Sequence, residues 1–302
     1  MTSEPRPAAL SVVVPSVNGW GDLRGCLEAL EAERAGVDLE VLVPERVGGV
    51  VRTRVAEAFP WVTVIAAPET STIPELRTMA FERATGAAVA VIEDHVLVPP
   101  GWARAMLGCL ERGEDVVAGA VENGATERLV DWAAFLCEYH HLLPPLPAGP
   151  VDRITGNNTA YRRSVLACYR DAWQAGRWED FLHDAMRRGG VRLHQHPEIV
   201  VRHRMHYTVG LYAAQRFLFS RAWAGMRATG TSRLDRLARG AAAMLLPPIL
   251  FWRVVRTVWG KKAHRIELAR SVPLIGLFTL VWGAGEMVGY WFGAGDALAR
   301  VR

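Results

Sequence analysis

Four short, mainly apolar runs mark the first hundred residues, and no other feature constrains the fold as tightly. They fall at residues 9–14, 38–43, 61–66 and 87–92. Between them, apolar residues recur at helical spacing, as with Leu23, Cys26, Leu27 and Leu30. Helices are expected over 22–35, 50–58 and 74–85. A strand that is apolar throughout is covered on both faces. Such strands alternating with helices predict an α/β fold with a mostly parallel sheet flanked by helices. Ligands of such sheets bind beyond the carboxyl ends of the strands. Pro15–Asn18, Pro44–Arg46 and Glu93–His95 all lie there.

The pattern changes after residue 100. A helix at 101–111, a strand at 115–121 and a Pro- and Gly-rich loop at 143–153 are expected. Helices at 163–173 and 178–188 and an extended stretch at 191–202 follow. At roughly 150 residues per domain, the 302 residues make about two domains. Half of them are hydrophobic, which excludes a disordered chain. The net charge of +4 is too small to argue for nucleic acid, and no nucleic-acid partner is expected. It suits a membrane surface or a phosphate-bearing substrate. The four cysteines contain no CxxC, so a disulfide framework or zinc ribbon is not expected and a reducing compartment is. The first seven residues hold no apolar stretch, so no signal peptide is expected.

The C-terminal third is different. Residues 272–293 are apolar apart from Glu286, about the ~20 residues a bilayer span needs. Residues 241–252 are apolar but shorter and carry Pro247–Pro248, which suits an interfacial or re-entrant helix, so that one interfacial helix plus one span, or two membrane-embedded helices that do not cross, are expected. Arg253, Arg256, Lys261, Lys262, Arg265 and Arg270 read as a basic connector that stays on the cytoplasmic side. The alternative is a buried hairpin of a soluble domain. Gly285, Gly289 and Gly293 are spaced by four, which permits close helix packing. The expected division is a catalytic portion over 1–225 and an amphipathic or transmembrane helical region over 226–302.

Several groups have the chemistry of a site. Glu93, Asp94 and His95 close an apolar strand. Two carboxylates and an imidazole suit a divalent cation or a ribose hydroxyl, against the plainer reading of a solvated turn. Glu179 and Asp180 open a helix, as caps or with one as a general base. His194, His196, His203 and His206 lie close in sequence but lack a helical HExxH context, so a single metal ligand is expected among them rather than a cage. Gly156–Asn157–Asn158 is either a turn or a contact to a hydroxyl-rich ligand.

Taken in order, these segments resemble family 2 glycosyltransferases. Ser11–Asn18 is similar to the family's opening strand, Pro and Asn. Glu93–Asp94–His95 followed by Pro99–Pro100–Gly101–Trp102 is similar to its DxD segment and the tail after it. Gly156–Arg163, Glu179–Asp180 and Pro197–His203 are similar to its glycine–Asn strand, its ED motif and its strand ending in histidine. The resemblance runs over residues 10–205 and leaves out the apolar C-terminal region.

The resemblance implies a glycosyltransferase A-type fold with a C-terminal membrane-associated helical segment. It implies a nucleotide-diphosphate sugar donor, a divalent cation (Mg²⁺ or Mn²⁺) and inversion at the anomeric carbon. Carried over, Pro15, Asn18 and Glu45 lie near the base, Arg77 near the diphosphate, and Glu93 and Asp94 with Asn157 and Asn158 around the nucleotide sugar. Asp94, His95 and His203 hold the metal, and Asp180 is the base beside Glu179. The sequence departs from the family pattern at Glu45–Arg46, at His95 and in lacking a QxxRW near Gln215. That last absence favours transfer of one sugar over polymer synthesis. The acceptor expected is lipid-linked or a cell-envelope glycan, reached from the cytoplasmic side of the cell membrane, with membrane lipids as partners. Two competing readings are a non-catalytic sugar-nucleotide-binding or assembly subunit with a decayed site, and a metal-dependent hydrolase.

Overall fold

A computed structural model describes residues 8–302. The N-terminal segment read as lacking a signal peptide lies outside the described residues. The described strands are β1 (Leu10–Val13), β2 (Leu39–Glu45), β3 (Thr63–Ala66), β4 (Ala88–Ile92), β5 (Val96–Leu97), β6 (Val116–Asn123), β7 (Gly149–Val151), β8 (Asn158–Arg162) and β9 (Leu193–His203). The helices are α1 (Trp20–Glu33), α2 (Gly49–Ala58), α3 (Ile73–Phe81), α4 (Trp102–Glu111), α5 (Leu129–Tyr139), α6 (Arg163–Cys168), α7 (Arg170–Gln174), α8 (Glu179–Arg188), α9 (Val209–Ala228), α10 (Arg233–Ala242), α11 (Leu246–Lys261), α12 (Arg265–Phe292) and α13 (Ala297–Arg300).

The chain divides into two compact units, residues 1–122 with 145–204, and residues 123–144 with 205–302. The first is built on one sheet of order β3-β2-β1-β4-β8-β6-β9-β5, with β7 on β9. From β3 to β4 the pairings are parallel. Beyond β4 they turn antiparallel, at β4–β8, β6–β8, β5–β9 and β7–β9. The apolar runs explain the parallel block: β1 and β4 are buried along their whole length, between helices. Helix α3 starts with a capping box: Thr72 Oγ1 accepts from Glu75 N–H at 3.3 Å, and the Glu75 carboxylate accepts from Thr72 N–H at 2.7 Å. The first N–H groups of α4 are met from outside, Glu33 accepting from Gly101 and Ala103 at 2.7 and 2.8 Å.

Three expectations for this unit need correction. The 143–153 loop contains strand β7, where Pro150 is tolerated because the strand lies at an edge. The helix expected over 163–173 is broken at Tyr169, whose φ of −111° and ψ of 29° separate α6 from α7. Two-residue β5 was not foreseen.

In the second unit α12 packs along α9, α5, α11 and α10. Glycine permits this closeness: a Cβ on Gly285 would meet Ser220 Oγ at 2.1 Å, and one on Gly289 would meet the Arg221 carbonyl at 2.4 Å. Gly293 instead ends α12 with a φ of +83°. The 241–252 segment is not a short helix. A 29-residue helical stretch, Arg233–Lys261, takes it in, with Pro247 and Pro248 in the first turn of α11, where a missing N–H costs nothing. By length and composition alone, this stretch and Arg265–Phe292 are long and apolar enough to cross a membrane. The basic connector is therefore only residues 262–264, and its other cations lie on helix turns.

Candidate functional site

The site begins where β1 and β4 end. Asp94 is completely buried, and both its oxygens are engaged. Oδ2 accepts the backbone N–H groups of Val17 and Asn18 at 2.8 and 2.9 Å. Oδ1 accepts from Asn18 Nδ2 at 2.8 Å and lies 3.0 Å from His95 Nδ1. This carboxylate ties the Pro15–Asn18 loop to the end of β4. It also orients the His95 ring, a carboxylate–histidine pairing that fixes which nitrogen faces outward.

β4 ends at Ile92, and Glu93–Val96 is a turn closed by the Val96 N–H donating to the Glu93 carbonyl at 3.0 Å, which lets Glu93 and His95 meet on the side away from the Pro15–Asn18 loop. His203 joins them because it pairs with Val96 across β5 and β9, and because Arg204 N–H donates to the His95 carbonyl at 3.0 Å. His95 Nε2 and His203 Nε2 are 2.8 Å apart, and each faces Glu93 Oε2, at 3.3 and 3.6 Å. Asn157 Nδ2 donates to the same carboxylate oxygen at 3.1 Å. The donors that converge are thus Glu93, His95 and His203. The expected ligand Asp94 sits behind His95 instead. No local pattern signalled this, because residues 93–95 form a turn between β4 and β5 and the partners of Asp94 come from a distant loop.

The electrostatics suit a cation. Burial opposes a charge on His95, but Asp94 and Glu93 outweigh it and hold the imidazole up, to about 10. Burial and the neighbouring His95 charge push His203 down, to about 3. The pair therefore shares one proton. Burial alone would raise Glu93, yet the His95 hydrogen bond and the two imidazoles bring it well below the usual carboxylate range. A carboxylate oxygen and two imidazole nitrogens this close form a ready donor set for a divalent ion.

A second cluster lies beside it. Arg77 on α3 is buried and pairs with Glu179 at the start of α8. Its Nη2 approaches the Gly156 carbonyl at 3.5 Å, and its Nε has no partner. The Glu179 side chain packs directly over Gly156, so that a Cβ there would displace the carboxylate from Arg77. Asp180 occupies the same first turn of α8 and is exposed.

Other expected residues are drawn into the fold. Glu45 is completely buried, with one oxygen accepting from the Val47 and Gly48 N–H groups and the other from Arg52 at 2.9 Å. Arg46 donates to the Ser71 carbonyl. Asn158 is also completely buried: Nδ2 donates to the Ala120 and Ile199 carbonyls, and Oδ1 accepts from Trp102 Nε1 at 2.9 Å. Pro15 is buried in the chain after β1. His206 belongs to the second unit, where it contacts Asp131 at 2.9 Å.

The sequence carries the match that decides the family: the model of glycosyl transferase family 2 covers residues 11–170. The chain is a family 2 glycosyltransferase. No curated protein matches it in sequence. Among solved structures, the glycosyltransferase is similar to S. aureus TarS 1–349 in complex with UDP, at 12% identity and a TM-score of 0.50, over 89% of this chain and 90% of that one. It is similar to GalNAc-T7 with UDP, GalNAc and Mn²⁺, at 13% identity and a TM-score of 0.50, over 70% of this chain and 48% of that one. A mannosyltransferase of Pyrobaculum calidifontis in complex with GDP-Man and Mn²⁺ aligns at 17% identity and a TM-score of 0.49, over 89% and 74%. At such identities the likeness shows the fold, which is glycosyltransferase A-type.

Proposed function

We propose that this glycosyltransferase moves one sugar from a nucleotide-diphosphate donor to a hydroxyl of a lipid-linked or cell-envelope acceptor, with inversion. The observation that carries the reading is the convergence of Glu93, His95 and His203 at the carboxyl end of β4, with Asp94 behind His95. UDP and Mn²⁺ in the GalNAc-T7 structure support a nucleotide diphosphate and a cation here.

Glu93, His95 and His203 would hold the divalent ion. When bound, it neutralises the charge that gathers on the departing diphosphate. Two imidazoles in three ligands favour Mn²⁺ over Mg²⁺. Arg77 is a fixed cation next to Glu179, suited to the diphosphate once that carboxylate lets it go. Asp180, in the first turn of α8, accepts the proton of the acceptor hydroxyl as the new bond forms. One in-line displacement inverts the anomeric carbon. Asn157 steadies Glu93, and the Asp94–Asn18 knot shapes the floor of the nucleotide site. Glu45 contributes by holding the β2–α2 turn rather than through an open carboxylate.

Residues 1–225 are proposed as the catalytic portion and 226–302 as the membrane attachment at the cytoplasmic face of the cell membrane. The exposed side chains of Leu245, Ile249, Trp252 and Trp259 support this, with Arg253 and Arg256 beside them for anionic headgroups.

The test is a thermal-shift panel of UDP-, GDP-, dTDP- and CDP-sugars with purified full-length protein in detergent, each with and without Mn²⁺. A ligand at one hundred times its Kd stabilises by ~2.7 kcal/mol. One nucleotide class shifting only with metal supports the reading; a shift with zinc alone, followed by hydrolysis without acceptor, overturns it. Asp180→Asn should cost ~10²–10⁴-fold in turnover with donor binding intact. Near-normal turnover in that variant removes Asp180 as the base.

A further inference from the structure

A second cluster of ligating side chains lies outside the site just described, where the end of α4 meets the middle of β9. Cys109 is in the last turn of α4 and only 2% exposed. The chain reverses at Gly113, whose φ of +101° suits glycine, and this brings Glu114 back toward the thiol. Arg162 pins the reversal from β8, its Nη2 donating to the Leu110 carbonyl at 2.6 Å and the Glu114 carbonyl at 3.2 Å. From β9, His196 Nε2 reaches Glu114 Oε2 at 2.7 Å. Cys109 Sγ, Glu114 Oε and a His196 ring nitrogen all lie within 4.8 Å of one another.

The surrounding groups are those a metal site needs. Glu198, two residues along β9, lies 2.9 Å from His196 Nδ1. That is the carboxylate–histidine arrangement that leaves Nε2 for a metal. Arg112 Nη2 lies 3.0 Å from Cys109 Sγ, as a donor to the sulfur. Burial pushes the Cys109 thiol up, while Arg112 pulls it back toward the thiolate. With the thiolate formed, Cys109, Glu114 and Glu198 carry three negative charges against Arg112, so a divalent ion makes the cluster neutral. Glu114 and His196 are partly exposed, at 21% and 13% of the side chain, so an ion can enter and keep a water as its fourth ligand.

We propose that Cys109, Glu114 and His196 form a zinc site, open at one position to water, that ties the α4–β6 turn to β9. One sulfur, one nitrogen and one oxygen form a softer donor set than Glu93, His95 and His203, so the two sites sort metals by chemistry. Binding displaces the thiol proton, because the thiolate is the ligand. The inference does not rest on the donor or acceptor of the transfer reaction.

The test uses purified full-length protein, stripped with a chelator and titrated with Co²⁺. Only a thiolate ligand gives a sulfur-to-cobalt charge-transfer band in the near ultraviolet. Wild type should show this band, and Zn²⁺ should abolish it. Cys109→Ser should remove it with the circular dichroism unchanged. Glu114→Gln, which keeps the thiol, should weaken Co²⁺ binding at least tenfold, whereas Glu93→Gln should leave the band intact. No band in wild type overturns the proposal, as does a band that survives Cys109→Ser or vanishes in Glu93→Gln.

Discussion

Adjacent side chains at the end of β4 have opposite tasks. Glu93 faces the two histidines, while Asp94 faces the backbone of Val17 and Asn18. Substitution should separate the two. Glu93→Gln should abolish metal-dependent stabilisation and lower the metal-free melting temperature less than Asp94→Asn does, through the weakened contacts to His95 and His203. Asp94→Asn should weaken metal binding by ~10–100-fold through His95 and also lower the metal-free melting temperature, since two buried N–H groups lose a charged acceptor. Calorimetric metal titration with thermal melts of both variants checks this; equal behaviour would mean both carboxylates are ligands. Residue chemistry was legible in the sequence at Glu93, His95 and His203. Asp94 misled because it is the acidic residue between two others, and its partners are backbone groups of a distant loop. Glu45 misled for the same reason: its partners are local N–H groups and Arg52.

Element by element, legibility follows periodicity. β1 and β4 were readable because a strand buried on both faces is apolar nearly throughout, and β2 and β3 because short β-branched stretches remain in them although β3 is largely exposed. Helix α5 was not, because it is buried on most sides, from Asp131 through Cys137, and so has no polar stripe to reveal it. β5 is two residues long and exists only through its pairing with β9, which no local pattern records. Helix α8 is strongly amphipathic and carries an acid-sensitive group on its buried side. His183 is 3% exposed, lies 2.6 Å from the Tyr161 hydroxyl through Nε2, and is pushed by burial down to about 4. Its folded-state value lies below the ordinary 6.5, so the unfolded chain takes up the proton first as pH falls. Its contribution is complete above about pH 6.5, declines as pH falls, and is gone below about pH 4. The difference in unfolding free energy between wild type and His183→Gln should narrow across that window, by up to about 3 kcal/mol. A constant difference from pH 7 to 4 would mean that His183 takes up its proton equally in the folded and unfolded chain, so that burial does not shift it.

On the scale of the whole molecule, the division into a sheet-based unit and a helical unit follows the change of composition along the chain. Its detail does not, because residues 123–144 leave the first unit and join the helices near the C-terminus. A composition scan sees only what is contiguous. Helix α11 has two apolar stripes: Leu250, Val254 and Val258 are buried, while Ile249, Trp252 and Trp259 are exposed. The buried stripe packs inside the unit, and the exposed one is proposed to meet lipid. Full-length protein should co-float with vesicles containing anionic phospholipid and stay bound in high salt, since apolar insertion outlasts screened charge. The double variant Ile249→Glu, Trp252→Glu should be released. Equal retention of the variant would assign the stripe to another role.

The pairing of Val96 with His203 sets a timetable. His95 and His203 are separated by 108 residues. At roughly 5–20 residues per second, a ribosome needs about 5–20 s to supply the second histidine after the first. The nascent chain can lay β1, β2, β3 and β4 side by side well before then, because their partners are already made. The metal triangle cannot close in that interval. A fragment ending with the family-matched region at residue 170 would carry the sheet's parallel half and yet lack the third ligand. The proposed cation clamp thus cannot close until β9 has been translated.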